Sequence, residues 1–315
     1  MNRQFNILTA IVGLTLIVGL LPSCGGKPTN TNYDEVAKLF AADKSISPVI
    51  DECYNSFYNK TQRAIWPLYM SEQDAIDSLL DQKVYLVFTT RKLTPNEESI
   101  IKSKHHNPRQ KPLAYDGMTL IVNNDNPDTV ITVDNFKKIL TGEVKTWKEI
   151  YPESKLDTIR LAFDTPTSSS VRYCTDSILN GGKISNAGNV RAVETTNEVI
   201  EYVERHKNAI GVVGSIWIND QRDTTNVTFK RNVTVMAVGH SPMRAVKPYQ
   251  YYIATAEYPF IRTIWAICTD PRGQGTPRRF FNFLTNPGEE GQLILWRAGL
   301  YPAWTEFIER KVVVD

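Results

Sequence analysis

Between Asp34 and Gly299, short runs of β-branched and aromatic residues alternate with stretches that carry their own helix start signals. That alternation is the strongest constraint on the fold, because it requires an α/β architecture. Val36–Ala42 reads as a strand, and the helix after it has Pro48 at its first position with Val49, Ile50, Cys53 and Phe57 on one face. A helix over Glu72–Leu80 and a strand over Val84–Thr89 follow, and Thr94-Pro95-Asn96-Glu97 supplies an N-cap, an N1 proline and the glutamate of a capping box. Met118–Val122 is a strand ending in the turn signal Asn123 to Pro127. Val133, Phe136, Ile139 and Leu140 then space out a helix closed by Gly142. The next unit pairs Thr158–Phe163 with a helix carrying Val171, Cys174, Ile178 and Leu179. Thr195 and Glu198 form another capping box before the strand Ile210–Val213, and helices start at Thr276-Pro277 and Asn286-Pro287, the last stopping at Gly299. No repeat and no long linker divides the chain, so the expected arrangement is discontinuous, with the chain crossing between two lobes.

The N-terminus departs from this pattern. Arg3 precedes an apolar run from Ile7 to Leu21, and Leu21-Pro22-Ser23-Cys24 follows at once. The run is shorter than the roughly 20 residues of a bilayer span. Residues 1–23 therefore read as a signal peptide, and the small residue before Cys24 resembles a bacterial lipobox. Lipidation of Cys24 is expected. Residues 24–33 have little to bury and read as a tether to the membrane. The remaining cysteines, Cys53, Cys174 and Cys268, are odd in number, widely spaced and set in apolar patterns, so they read as buried thiols and not as a disulfide or metal framework.

Over 315 residues the net charge is +2 with no block of like charge, which excludes a nucleic-acid footprint and makes any anion selectivity local. Three loops offer it. Asp43-Lys44-Ser45-Ile46-Ser47, Thr89-Thr90-Arg91 and Asp164 to Ser170 each follow a strand, and two of them open a helix with hydroxyl residues. Helix starts present free N–H groups, and hydroxyls with an arginine fork between two such starts would fully hydrogen-bond an oxyanion. A serine at a helix start is ordinarily just a cap, and Arg91 at the end of an apolar strand needs a partner, either an anion or an acid. Enzyme signatures are lacking: no serine sits in a G-x-S-x-G elbow, and no phosphate-binding glycine loop occurs. The histidines, His105, His106, His206 and His240, read as solvent-facing.

Together these pieces resemble a family. The carrying segments are Asp43-Lys44-Ser45 with Ser47-Pro48-Val49-Ile50, Thr90-Arg91-Lys92-Leu93-Thr94 with Glu97, Tyr115-Asp116-Gly117-Met118 running into Val122-Asn123-Asn124 and Asn126-Pro127, Leu140-Thr141-Gly142 with Trp147, Ser168-Ser169-Ser170 with Arg172, Ala209-Ile210-Gly211, Tyr258-Pro259 with Arg262, and Gly291-Gln292 with Gly299-Leu300 and Pro302. Their order is similar to that of the phosphate-binding component of the bacterial phosphate import system. The resemblance implies a type II periplasmic binding protein fold, two α/β lobes joined by a two-stranded hinge, with lobe one at residues 34–116 and 238–315 and lobe two at 117–237. It implies a non-enzymatic, monomeric, cofactor-free binder of inorganic phosphate or a related oxyanion, serving a membrane permease. The ligand residues carried over are Lys44, Ser45, Thr90, Arg91, Asp116, Ser168, Ser169, Ser170 and Arg172. Arg91 stands where better-known members carry an aspartate, and Asp164 where they carry an arginine. A donor-only site of this kind would reject sulfate weakly, unless Asp164 or Asp43 points inward. Two other roles fit the same pattern: an adaptor or sensor lipoprotein of an energy-transducing envelope complex, and a phosphate-ester hydrolase, for which no histidine lies near Ser168 or Arg91 in sequence. Changing Cys24→Ser is expected to move the protein from the membrane fraction to the soluble one. Retention in the membrane fraction would assign the anchor elsewhere.

Overall fold

The computed structural model describes residues 33–186, 188–219 and 229–304. The signal segment, Cys24 and tether residues 24–32 lie outside the described residues. Twelve strands are present among them: β1 Leu39–Asp43, β2 Trp66–Met70, β3 Leu86–Thr89, β4 Arg109–Val122, β5 Val130–Thr132, β6 Arg160–Phe163, β7 Val190–Ala192, β8 Ala209–Gly214, β9 Thr234–Val235, β10 Ala237–Gly239, β11 Ile261–Cys268 and β12 Tyr301–Pro302. Ten of them form one curled sheet in the order β2-β1-β3-β11-β4-β8-β6-β7, with β9 and β12 also on β4, while β5 and β10 pair separately.

β4 organises the molecule. Its first half pairs with β11 and β12 and its second half with β8 and β9. Fourteen residues of one strand therefore serve two sheet segments. Each segment has its own apolar cores. Around β1, β3 and β11, Phe40, Phe57, Phe88 and Phe280 interlock with ring centroids 4.9 to 5.5 Å apart, and Ile76, Leu79, Val87 and Ile267 fill the opposite face. Beyond Gly117 a second set gathers Phe136, Trp147, Phe163 and Ile210, backed by Val199 and Val203 of the helix Thr196–Arg205. Val238, Tyr258 and Phe260 belong to this second set. β10 pairs with β5, and the Tyr258 hydroxyl donates to the Met118 carbonyl, so packing holds the chain in the second half until Ile261, later than the expected return at Val238.

Local signals are read out closely. The helix over Glu72–Leu80 has the expected bounds, the Thr94–Glu97 capping box forms with both reciprocal bonds, and Gly142 and Gly299 close their segments with positive φ. At Thr195 half the box forms: Thr195 accepts from Glu198 N–H, but the Glu198 carboxylate reaches Glu194 N–H instead. The expected strand Val36–Ala42 is corrected at its start. Tyr33–Val36 is a helical turn, because Tyr33 is pinned by stacking on Tyr85 and by its bond to Asp270, and the ladder begins where Trp66 N–H donates to the Lys38 carbonyl. Cys53, Cys174 and Cys268 are buried and free, and burial pushes the Cys268 thiol up to about 11. No helix among the described residues is long and apolar enough to cross a membrane.

Gly211 sits where β8 meets the helix Thr196–Arg205, and a Cβ there would lie 2.8 Å from Val203, 2.9 Å from Ile121 and 3.0 Å from Val199. Gly211→Ala is expected to destabilise by about 1–3 kcal/mol through overpacking. The check is a lowered urea midpoint at unchanged slope.

Candidate functional site

Three chain segments converge where β4 passes from one half to the other. After β1, Asp43 closes a turn on Ser45: its Oδ1 accepts from Ser45 N–H at 2.9 Å and its Oδ2 from the Ser45 hydroxyl at 3.1 Å. Beyond β6, Ser168 caps the next helix by accepting from Val171 N–H at 3.3 Å, which places Ser169 and Ser170 at its first positions. That helix lasts only five residues, Ser169–Tyr173, before a π-helical turn over Cys174–Ile178, so its dipole is short and the hydroxyls matter more. The hydroxyls of Ser45 and Ser169 meet at 2.9 Å. Since Ser45 gives its proton to Asp43, Ser169 is the donor between them.

Arg262 of β11 supplies the third element. Its Nη1 donates to Ser45 Oγ at 3.0 Å and to Ser169 Oγ at 3.2 Å, while Nε donates to Asp116 Oδ2 at 2.9 Å. Nη2 lies 2.8 Å from the same carboxylate oxygen, within ion-pair distance but without hydrogen-bond geometry. Asp116 Oδ1 accepts from the backbone N–H and hydroxyl of Ser215, at 3.1 and 2.7 Å. The side chains of Arg262 and Asp116 are 1% and 0% exposed, so the pair exists only because each partner satisfies the other. Gly214 makes room for it: a Cβ there would stand 2.6 Å from Arg262 Nη2 and 2.7 Å from Asp116 Oδ2.

A second polar cluster links the two halves. Glu72, buried at the start of its helix, accepts from Thr90 N–H at 2.6 Å and Thr90 Oγ1 at 2.7 Å, and Arg172 donates to it from the other side. Arg172 Nη2 also donates to Thr90 Oγ1 at 2.8 Å. Arg91 is oriented differently from the expectation that it would share an anion with Ser168–Ser170. Its fork is bidentate on Glu97, at 2.8 Å twice, and Nη2 reaches Gln73 at 3.0 Å. Burial alone would raise the Glu97 carboxyl, but the Arg91 fork and the Thr94 N–H outweigh it and hold it down at about 2. Lys44 is exposed, and Ser170 is buried.

Two carboxylates flank the serine pair under strain. Burial pushes Asp43 upward, and the nearby Glu72 charge adds to this against the pull of Arg262. Asp164 is 8% exposed and its Oδ1 has no hydrogen-bond partner. Burial raises its carboxyl to about 6; a Ser168 hydrogen bond and Arg262 oppose the rise, and the Asp43 charge supports it. The histidines stand apart: His106 bonds the Thr269 carbonyl, His206 bonds the Tyr202 carbonyl, and His105 and His240 are exposed. No group of three or more His, Cys, Asp or Glu among the described residues is placed to hold a metal ion. Sequence reasoning did not count Arg262 and Glu72 as ligand-site residues. The available signal was a lone arginine inside the apolar strand Ile261–Cys268.

The model of the PBP superfamily domain matches residues 3–287. The chain belongs to the PBP superfamily. Among relatives of this PBP-superfamily chain, the phosphate-binding protein PstS of Borreliella burgdorferi is 22% identical over 280 residues, covering 86% of this chain and 90% of that protein. The PstS of Staphylococcus saprophyticus is 21% identical over 218 residues, and the match spans 68% of this chain and 66% of that protein's length. A substrate-binding protein from Clostridium perfringens, solved with bound phosphate, superposes with a TM-score of 0.68 at 18% identity, over 84% of this chain and 99% of that one. The shared fold has two lobes, here the two halves joined through β4.

Removing one partner of a buried pair strands the other charge. Asp116→Ala is therefore expected to cost about 3–5 kcal/mol of stability, measured by denaturant unfolding.

Proposed function

We propose that this protein is a substrate-binding protein that captures inorganic phosphate between its lobes and delivers it to a membrane permease, held at the membrane by a lipid on Cys24. The reading assigns binding and no catalytic step. Lobe one is taken as the segments before Gly117 and after Ile261, and lobe two as the chain between them.

One observation carries the reading. At the lobe junction, Arg262 Nη1 is a donor shared between the Ser45 and Ser169 hydroxyls, and Asp164 Oδ1, beside Ser168 at the start of the same helix, is a buried acceptor without a hydrogen-bond partner. Hydrogenphosphate can answer both, because its oxygens accept and its remaining proton donates. The liganding set proposed is Ser45, Ser168, Ser169, Ser170 and Arg262, with Asp164 as the acceptor. Thr90, Asp116 and Arg172 support it through the Glu72 and Arg262 contacts. Arg91 is left out because Glu97 already holds it, and Lys44 because it is exposed. The names of the relatives above agree with this ligand.

The acceptor decides selectivity. An ionised Asp164 accepts the phosphate proton and repels sulfate, which has none to give; a protonated Asp164 donates and tolerates either. Its folded carboxyl lies near 6, above the ordinary 3.8. The folded state therefore holds the proton more tightly than the unfolded one. Stability is greatest below pH 3.8 for this group and falls as pH rises toward 6, by about 3 kcal/mol in all. Asp164→Asn is accordingly expected to raise stability at neutral pH.

In a thermal-melt panel phosphate should stabilise the mature domain, by about 2.7 kcal/mol at one hundred times its dissociation constant. Arg262→Ala should abolish the shift, and Arg91→Ala should preserve it. Sulfate should compete better below about pH 6 than above it, and Asp164→Asn should remove that pH dependence. A panel in which sugars or amino acids shift the melt and phosphate does not would overturn the assignment.

A further inference from the structure

We propose that the end of lobe one opposite the ligand cleft is a membrane-docking face that lies on anionic phospholipid headgroups. The proposal takes its orientation from the lipid-anchor reading of Cys24.

Strand direction defines this end. β1, β2 and β3 run parallel, and their C-terminal ends carry Asp43 and Thr90 into the cleft. Their N-terminal ends lie on the opposite side, where Leu39 pairs with Trp66, Leu86 with Cys268, and Cys268 with Arg109. The chain enters the fold at the same end and is fixed there. Tyr33 stacks on Tyr85 at 5.3 Å, donates to Asp270 at 3.0 Å, and has Arg272 over its ring at 3.6 Å. Eight residues lie between Cys24 and Tyr33, and the nine Cα steps that join them span at most about 30 Å. A lipid on Cys24 therefore keeps this end within about 30 Å of the bilayer.

The chemistry of the surface suits that neighbour. Trp66 is 57% exposed and Tyr58 is 41% exposed, both packed about Tyr54 with ring centroids 6.4 and 6.3 Å away. Around them and across the same end, Lys38, Arg63, Lys104 and Arg109 are exposed. Of the acids here, Asp34 is held by Arg272 at 3.3 Å, Asp81 by Lys83 at 2.9 Å, and Glu289 and Glu290 lie 3.5 and 3.9 Å from Lys60, which leaves Glu35 as an exposed acid outside these pairs. Exposed tryptophan and tyrosine interleaved with lysine and arginine match the headgroup layer, where amphipathic rings insert and basic side chains meet lipid phosphate. The whole chain carries only +2, so this basic end is a local concentration of charge.

The test uses the mature chain from Gly25 onward. Residues from Asn32 form one compact unit that contains every core described above, so this chain keeps its fold. It is sedimented with vesicles of phosphatidylcholine containing phosphatidylglycerol and with vesicles of phosphatidylcholine alone. Binding is expected to the anionic vesicles and is lost at high salt, where headgroup attraction is screened. The double variant Lys38→Glu/Arg63→Glu and the single variant Trp66→Ala should each bind about tenfold more weakly while melting cooperatively. Because no lipid is attached, the result does not depend on whether Cys24 is acylated, which the fractionation of Cys24→Ser decides separately. Absence of binding, equal binding to both vesicle types, or undiminished binding by the charge-reversed variant would overturn the proposal.

Discussion

The fold and the cleft both depend on the ion pair between Arg262 and Asp116. Register makes the two direct partners on β11 and β4, the strands that carry the chain between halves. A guanidinium with 1% exposure is tolerable only if its attachment to water is replaced group by group. Asp116 supplies the countercharge, Ser215 completes the other carboxylate oxygen, and Gly214 leaves the space. Once Nε is held by Asp116, Nη1 has no rotamer freedom left, and the two serine hydroxyls meet a donor whose direction is set by the scaffold. Preorganisation of this kind lowers the ordering entropy that binding must otherwise overcome.

The charge inventory around that arginine is unusual for an anion site. Asp43, Asp116, Asp164 and Glu72 are all buried, against Arg262 and the partly exposed Arg172. A net positive field therefore cannot be what attracts an anion, and long-range steering should contribute little to its capture. What remains is short-range and directional: oriented donors on one side and an unsatisfied carboxylate oxygen on the other. The raised carboxyls of Asp43 and Asp164 are the cost of that arrangement, visible as a preference for the proton that a fully solvated aspartate would not show.

The α/β alternation was legible because its signals are local. Thr94 with Glu97 and Gly142 after its helix act within one turn of the backbone, and the structure uses both. The site was legible only in part. Ser45 and Ser169 could be marked from hydroxyl-rich turns, but the residue that joins them lies 217 positions from one and 93 from the other. Arg91 and Arg262 present the same sequence signal, a charge in an apolar strand. Arg91 drew attention because it adjoins a helix start, and Glu97 was read as a cap alone. A carboxylate has two oxygens, however, and Glu97 uses one face for Thr94 N–H and the whole fork for Arg91. Which arginine meets its acid locally and which meets it across the sheet is a matter of strand order, and strand order is not written in any single segment.

Were the halves to part, as the proposed binding role requires, the second cluster is the contact that would yield. Glu72 and Arg172 come from opposite sides, and their contact, with Ser45 on Ser169, draws the halves together. When the halves part, neither charge is stranded. Glu72 retains the backbone and hydroxyl donors of Thr90, and Arg172 keeps Asp176 on its own helical segment, at 3.5 Å, together with access to water. Opening therefore exchanges one ion pair for solvation and avoids the penalty of an orphaned buried charge, a penalty that the Arg262–Asp116 pair would incur if it broke. The molecule thus has one polar contact that must persist through any motion and one that can be made and broken cheaply. A ligand shifts such an equilibrium only by the free energy with which it prefers the closed arrangement. In the phosphate-binding reading proposed above, that preference rests on the few atoms of Arg262, Asp164 and the serine hydroxyls, which come from both halves.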